Sequence, residues 1–202
     1  DWRECLERTS PDFIILCLAA AGRALWTERI AEYRLPVLIE KPFAATLADA
    51  GAIAEIYNRE VTSSTATFDL VERTTQDQRQ WLAARSGAFA AIVAADAATR
   101  QVIGFASLSP YKERAAYRTT VENSVYVHRD FGGHGVGKAL MLHLIGVARD
   151  SGFHSIIARV EASGDASRAL HASVGFELVG IEREVGRKFN RWLSIAVMQL
   201  ML

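Results

Sequence analysis

Thr120-Val121-Glu122-Asn123-Ser124-Val125-Tyr126-Val127, and after it Gly132-Gly133-His134-Gly135-Val136-Gly137-Lys138, decide how this chain is read. In the first segment Val121, Asn123, Val125 and Val127 alternate with Glu122, Ser124 and Tyr126, the period of a β-strand. Past the glycines, residues 136–150 carry Leu140, Leu144 and Val147 near helical spacing, and Gly152 stands where a C-terminal cap belongs. A strand that ends in a glycine turn opening a helix presents backbone N–H groups with no intrahelical partner, and the helix dipole adds about half a positive charge there. Such a turn suits phosphate. Glycine is the residue for it because a Cβ would keep the backbone from closing on the phosphate oxygens. Lys138 and His134 can add charge at the rim. Taken alone, the turn leaves a purely structural role open. It does not read as a Rossmann unit, which needs a βαβ repeat with an acid after its second strand. Nor is it a P-loop, because neither the glycine spacing before Lys138 nor a Ser or Thr after it is present.

Working outward, residues 89–95 and 101–108 are apolar runs separated by the loop 96–100, a hairpin. Thr46-Leu47-Ala48-Asp49 can cap a helix with Ile53, Ile56 and Tyr57 on one face, and residues 76–85 repeat a helical pattern with Trp81 and Leu82. Downstream come a strand over 155–160, a helix over 167–174 capped by Gly175, and strands near 176–180 and 192–200. The first residues suggest a strand at 12–18, a helix at 23–33 and a strand at 36–40. This order predicts an α/β (α+β) protein with a mixed, mainly antiparallel sheet flanked by helices.

With 202 residues, half of them hydrophobic and 23% charged, the chain has ordinary globular composition. Lys and Arg total 23 and Asp and Glu 23, so net charge offers no sign of a nucleic-acid partner, although a local anion site stays open. Cys5 and Cys17 form no Cys-x-x-Cys pair, and free thiols in a reducing compartment are expected. The apolar run 13–21 is about half the length needed to cross a bilayer, and it lacks the preceding basic segment of a signal peptide. A cytoplasmic protein with no membrane or nucleic-acid partner is the expectation.

Read from Val125 to Leu140, Val-Tyr-Val-His-Arg-Asp-Phe-Gly-Gly-His-Gly-Val-Gly-Lys-Ala-Leu resembles the acetyl-CoA motif of the GNAT superfamily of N-acetyltransferases, written Arg/Gln-x-x-Gly-x-Gly/Ala. Further segments resemble its phosphinothricin acetyltransferase-like branch, in order and spacing. They are Ile53-Ala54-Glu55-Ile56-Tyr57-Asn58, Ser64-Thr65-Ala66-Thr67-Phe68, the stretch from Tyr117 to Val127, Leu170-His171-Ala172-Ser173-Val174-Gly175-Phe176, and Trp192 with Met198-Gln199. The resemblance covers residues 37–202, which it marks as a GNAT domain, with 1–36 as an N-terminal extension.

What the resemblance implies is acetyl transfer from acetyl-CoA to the primary amine of a small molecule, by direct attack in a ternary complex. The acceptor it suggests is an amino acid or a glutamate analogue of the phosphinothricin or methionine sulfoximine kind. The enzyme would need no metal and would work as a homodimer. An amine is protonated at neutral pH and must lose a proton to attack; Glu122 stands where the family has that base. His171 stands where this branch carries the proton donor for the leaving thiolate. Val125, Tyr126 and Val127 would meet the pantetheine arm, and backbone N–H groups there could stabilise an oxyanion. Gly133, His134, Gly135, Val136, Gly137 and Lys138 would take the phosphates. Gly164 and Ser167, around the start of the last helix, complete the cofactor set. Phe68, Tyr117 and Arg118 are the candidates for the acceptor. Plainer readings stay open beside these: Glu122 as a solvent-facing strand carboxylate, His171 as a satisfied helix histidine, Tyr126 as strand packing, and Phe68, Trp81 and Trp192 as core or pocket walls.

Three positions depart from the family pattern. Gly132 replaces the first Arg or Gln of the motif, Gly164 replaces a helix-start asparagine, and Ser194 replaces an aspartate in the last strand. Loss of a charge-assisted pyrophosphate contact is worth about 1–3 kcal/mol, so a weakly active or inactive acyl-CoA-binding module is the alternative. The N-terminal stretch, residues 11–17 and then 35–43 with Glu40-Lys41-Pro42, resembles part of the Gfo/Idh/MocA oxidoreductases. No Gly-x-Gly-x-x-Gly unit precedes it, so it is expected to bind no dinucleotide by itself. A remnant or fusion junction is the favoured reading, with a structural flap, or Glu40-Lys41-Pro42 as part of the first acetyltransferase strand, as the alternatives.

Overall fold

The computed structural model describes residues 14–16, 37–39, 47–85 and 88–202. Along them run β1 (Ile14–Leu16), β2 (Val37–Ile39), α1 (Leu47–Ser63), α2 (Thr75–Ala83), β3 (Ala91–Ala95), β4 (Val102–Pro110), β5 (Thr120–Val127), α3 (Val136–Asp150), β6 (Ser155–Glu161), α4 (Asp165–Ser173), β7 (Glu177–Lys188) and β8 (Arg191–Met201). Single 3-10 turns, Ala115–Tyr117 and Arg129–Phe131, flank β5. The helix expected over 23–33, the cap residue Thr46, Glu40-Lys41-Pro42 and both cysteines lie outside the described residues.

All the strands join one sheet in the order β1-β2-β3-β4-β5-β6-β8-β7. β1 lies parallel to β2, and β5 parallel to β6; the other neighbours are antiparallel, as the mixed pattern predicts. β3 is buried at every position because both faces of the sheet are covered there, which explains an apolar run without alternation. On one face α3 buries Val136, Ala139, Leu140, Met141, Leu144, Ile145 and Ala148 against Ile92, Ile103, Leu108 and Ile156. Removing the Leu140 side chain from that layer would cost about 2–5 kcal/mol. On the other face α1 and α2 seat Ile53, Ile56, Tyr57, Val61 and Leu82 on Ala91, Val93 and Phe105. α2 begins with a reciprocal capping box, in which Thr74 Oγ1 accepts the Asp77 amide and Asp77 accepts the Thr74 amide.

Two expectations change at the C-terminal end. β7 extends to Lys188 instead of ending near Gly180. It is the edge strand and is exposed along most of its length, so its polar residues carry no alternation to read. A bulge between Glu182 and Gly186 puts Glu184 at φ 52°, and the Ser194 hydroxyl accepts its amide at 3.0 Å. The tight turn to β8 has Phe189 and Asn190 both at positive φ, without the usual glycine. Trp192 is 62% exposed, with Arg187 over its ring, and is not part of the core. Trp81 instead packs edge-on against Phe105.

Candidate active site

β5 and β6 pair only at Thr120↔Ser155, Val121↔Ile156 and Glu122↔Ile157. Beyond that point β5 follows β4 to Val127 while β6 follows β8 to Glu161. Their inner edges therefore part and leave backbone N–H and C=O groups without ladder partners, a surface that an extended polar chain can satisfy. A cavity of about 300 Å³ occupies the fork. Five consecutive β5 residues, Glu122 to Tyr126, line it. Successive residues can share one cavity because it meets the strand edge-on, not on one face. β6 contributes Ala158 to Glu161, α4 contributes Ser167 and His171, and the α1–α2 loop contributes Ala66, Thr67 and Phe68.

Glu122 sits at the last paired position, half-buried. Burial raises its carboxyl above the usual range; nearby Arg159 opposes this, and Glu182 reinforces it. Arg159 donates to both carboxylate oxygens of Glu182, at 3.2 and 2.5 Å, so its charge is shared away from Glu122. A half-buried carboxylate with a raised pKa and no direct cation clamp can accept a proton near neutral pH.

His171 is 3% exposed. Its Nδ1 lies 2.8 Å from the Ser167 carbonyl, which can only accept, so Nδ1 carries the proton. Nε2 of the neutral ring then accepts from the Asn123 amide at 3.0 Å. Burial lowers the imidazole pKa, and the Ser167 bond only partly offsets this. The neutral ring has no proton to offer on Nε2; donation from that atom requires the imidazolium.

At the other end, no side chain caps α3. Gly133 and Gly135 adopt φ of 77° and 79°, a conformation that costs a side-chain-bearing residue about 1–2 kcal/mol. The first amides of α3 are left for an external acceptor. Gly132, Gly133, His134, Gly135 and Lys138 are exposed, while Val136 is buried and anchors the turn. Arg129, just before the glycines, donates to Glu60 Oε1 at 2.9 Å and to Ser63 Oγ at 2.8 Å, tying the turn to α1. Burial by itself would raise the Glu60 carboxyl, but bonds from Arg129 and Ser64 outweigh it and hold it below the usual range. Uncapped amides at one end and an open strand edge at the other fit a phosphate-bearing chain with an extended polar arm.

A family model described as the acetyltransferase (GNAT) family matches residues 52–176. The chain is 37% identical to a phosphinothricin N-acetyltransferase of Streptomyces coelicolor, over 73% of this chain and 88% of that one. It is 38% identical to an L-methionine sulfoximine/L-methionine sulfone acetyltransferase of Pseudomonas paraeruginosa, over 78% and 92%. The structure also matches a GNAT superfamily phosphinothricin acetyltransferase from Sinorhizobium meliloti in complex with AcCoA, at TM-score 0.76 and 34% identity, covering 83% and 88%. The chain belongs to the GNAT acetyltransferase family.

Within this GNAT fold, the cavity gathers Glu122, Val125, Tyr126, Ser167, His171 and Phe68. The glycine turn, Val127 and Gly164 lie outside its lining, as do Tyr117 and Arg118. Tyr117 stacks edge-on with Tyr111, with Lys112 over both rings, on the loop before β5. The Tyr126 ring packs on Phe105 and Tyr57, and burial raises its phenol pKa well above the usual value. Asn123, Arg159, Glu161 and Val185, beyond the residues that the family resemblance points to, also line the cavity. Alternation marks Asn123 as inward, the one available signal; the others reach the cavity through sheet order. Among the described residues no group of three or more His, Cys, Asp or Glu could hold a metal ion, and no helix is long and apolar enough to cross a membrane.

Proposed function

We propose that this GNAT protein transfers the acetyl group of acetyl-CoA to the amino group of a small amino acid or glutamate analogue, of the kind named for its relatives. The observation that carries the reading is the half-buried Glu122 at the fork of β5 and β6, opposite the uncapped start of α3. Acetyl-CoA supplies an activated thioester. The residues from Gly133 to Lys138, with Gly164 and Ser167, would hold it by its phosphates and pantetheine, and Val125 to Val127 would offer backbone groups to its arm.

Glu122 takes the proton of the acceptor ammonium, whose charge the Glu122 and Glu161 carboxylates on the cavity wall favour. His171 in its neutral form orients Asn123 beside the cavity, and as the imidazolium it would donate to the departing thiolate. Phe68 forms an apolar wall, while Tyr117 and Arg118, on the exposed loop before β5, would guide the acceptor's carboxylate. Residues 37–202 form the catalytic domain in this reading, and 1–36 is an appended segment.

The protein would act in the cytoplasm as a homodimer. Val179, Ile181 and Val185 of edge strand β7, with Phe189 and Trp192 beside it, are exposed apolar side chains suited to a second copy. Release of CoA thiol from acetyl-CoA across a panel of amino acids and glutamate analogues tests the activity, and light scattering tests the dimer. Acetyl-CoA binding without thiol release on any amine would leave only an acyl-CoA-binding module.

A further inference from the structure

Ala66, Thr67 and Phe68, in the connection between α1 and α2, line one wall of the cavity, and the stretch 64–69 that carries them is held from several sides. Thr65 Oγ1 donates to Glu161 Oε2 of β6 at 3.3 Å. Thr67 Oγ1 lies 2.9 Å from the Tyr57 hydroxyl of α1 and accepts the Asp69 amide at 3.2 Å. The third holder comes from the far end of the chain. Lys188, the last residue of β7, is 4% exposed and donates from Nζ to the Thr67 carbonyl at 2.8 Å and the Glu60 carbonyl at 3.2 Å. Burying an ammonium is costly unless it is hydrogen-bonded; here one acceptor lies in the 64–69 segment and the other in the last turn of α1, where the helix dipole favours a cation, so Lys188 ties the segment to the helix that precedes it.

Two residues before Lys188, a Cβ built at Gly186 would fall 2.2 Å from Cε2 and 2.4 Å from Cδ2 of the Phe68 ring. The ring thus already occupies the space where any side chain at 186 would stand. It cannot retreat further toward β7, and it lines the cavity with Val185. We propose that Gly186 and Lys188 are positioning residues that set the place of the 64–69 wall and, through Phe68, the size of acceptor the cavity admits. This rests on the acetyl-transfer reading above. Gly186 gives the ring its lowest seat and the cavity its greatest width; Lys188 keeps the backbone beside the ring from lifting. Neither touches the acceptor, and both lie far in sequence from the wall they fix.

The test uses the full chain, acetyl-CoA and L-amino acids of graded side-chain length. Gly186→Ala should raise KM for the longest acceptors so that their kcat/KM falls about 10-fold more than that of alanine, with acetyl-CoA affinity unchanged. Phe68→Ala should widen acceptance, and the Phe68→Ala/Gly186→Ala double variant should select acceptors as Phe68→Ala does. Lys188→Met should raise acceptor KM without affecting acetyl-CoA affinity, and Lys188→Arg should recover part of the loss. Equal losses for every acceptor in Gly186→Ala, or independent effects of the two substitutions in the double variant, would overturn the proposal. Should Gly186→Ala fail to fold, Phe68→Leu alone decides, because an unchanged preference between long and short acceptors would also overturn it. A readout free of turnover separates this from the activity itself. With fluorinated phenylalanine incorporated, the Phe68 resonance, assigned by its loss in Phe68→Leu, should shift in Lys188→Met and in folded Gly186→Ala. An unmoved resonance in Lys188→Met refutes the positioning role whether or not any amine is acetylated, whereas a shifted resonance in a protein that acetylates nothing would refute only the acetyl-transfer reading.

Discussion

The two ends of the cleft are built in opposite ways. The glycine turn, residues 132–138, is contiguous, mostly exposed, and presents backbone amides positioned by two glycines at positive φ. The other end is a cavity walled by β5, β6, α4, β7, β8 and the α1–α2 loop, with Glu122 and His171, two side chains of altered acidity, in its lining. A backbone site is written into a short stretch of sequence because each glycine answers a local steric need. A side-chain site needs residues that become neighbours only when the sheet assembles. Damage at the first end should appear in cofactor affinity, and damage at the second in turnover.

The largest expected effect tests that division directly. Glu122→Gln should lower turnover at neutral pH by about 100-fold or more, with acetyl-CoA affinity unchanged by calorimetry. Since the folded carboxyl holds its proton more tightly than an unfolded one, its ionisation costs stability as pH rises through the raised pKa. The same variant should therefore melt at a higher temperature than wild type at neutral pH. Wild-type turnover should fall on acidification through that raised pKa. Unchanged turnover in the variant would remove Glu122 as the base.

At the opposite end, Gly135→Val forces a branched side chain to φ 79°, at a cost of about 1–3 kcal/mol, and should weaken acetyl-CoA binding about 10-fold or more. Its kcat at saturating cofactor should stay near wild type; a collapse of kcat with intact affinity would break the comparison.

A gain is expected from Gly132→Arg. Residue 132 has φ −64°, open to any side chain, although its Cβ would stand 3.2 Å from the Arg129 carbonyl. A recovered charge-assisted bond should tighten acetyl-CoA by about 5-fold or more. No gain would mean that Arg129, Lys138 or the amides already meet that need.

The smallest effect concerns His171. Burial holds its pKa below the ordinary 6.5, so the unfolded chain binds that proton more tightly. Its contribution to stability is complete above that value and declines as pH falls through the folded pKa. Thermal melts from neutral to mildly acidic pH should show a wild-type loss that His171→Asn reduces, and parallel curves would count against it.

Much of the fold was legible because its signals are local. Alternation marked β5, the glycines marked the turn, and helical spacing marked α3; all three lie where expected. The full length of β7 is not legible, because an edge strand exposed along most of its length has no regular apolar period, and its bulge is held by Ser194, ten residues away. Asn123 could be read as inward, but its bond to His171 spans 48 residues and has no sequence signature.

The sequence by itself determined the elements, the anion-ready helix start and the family resemblance, since steric and periodic rules act over a few residues. Only the tertiary structure decided that β5 and β6 part beyond Glu122, that neutral His171 carries its proton on Nδ1, and that Gly186 lies beneath Phe68. Those facts depend on which strands become neighbours and how far apart their edges stand, and no local pattern encodes that distance.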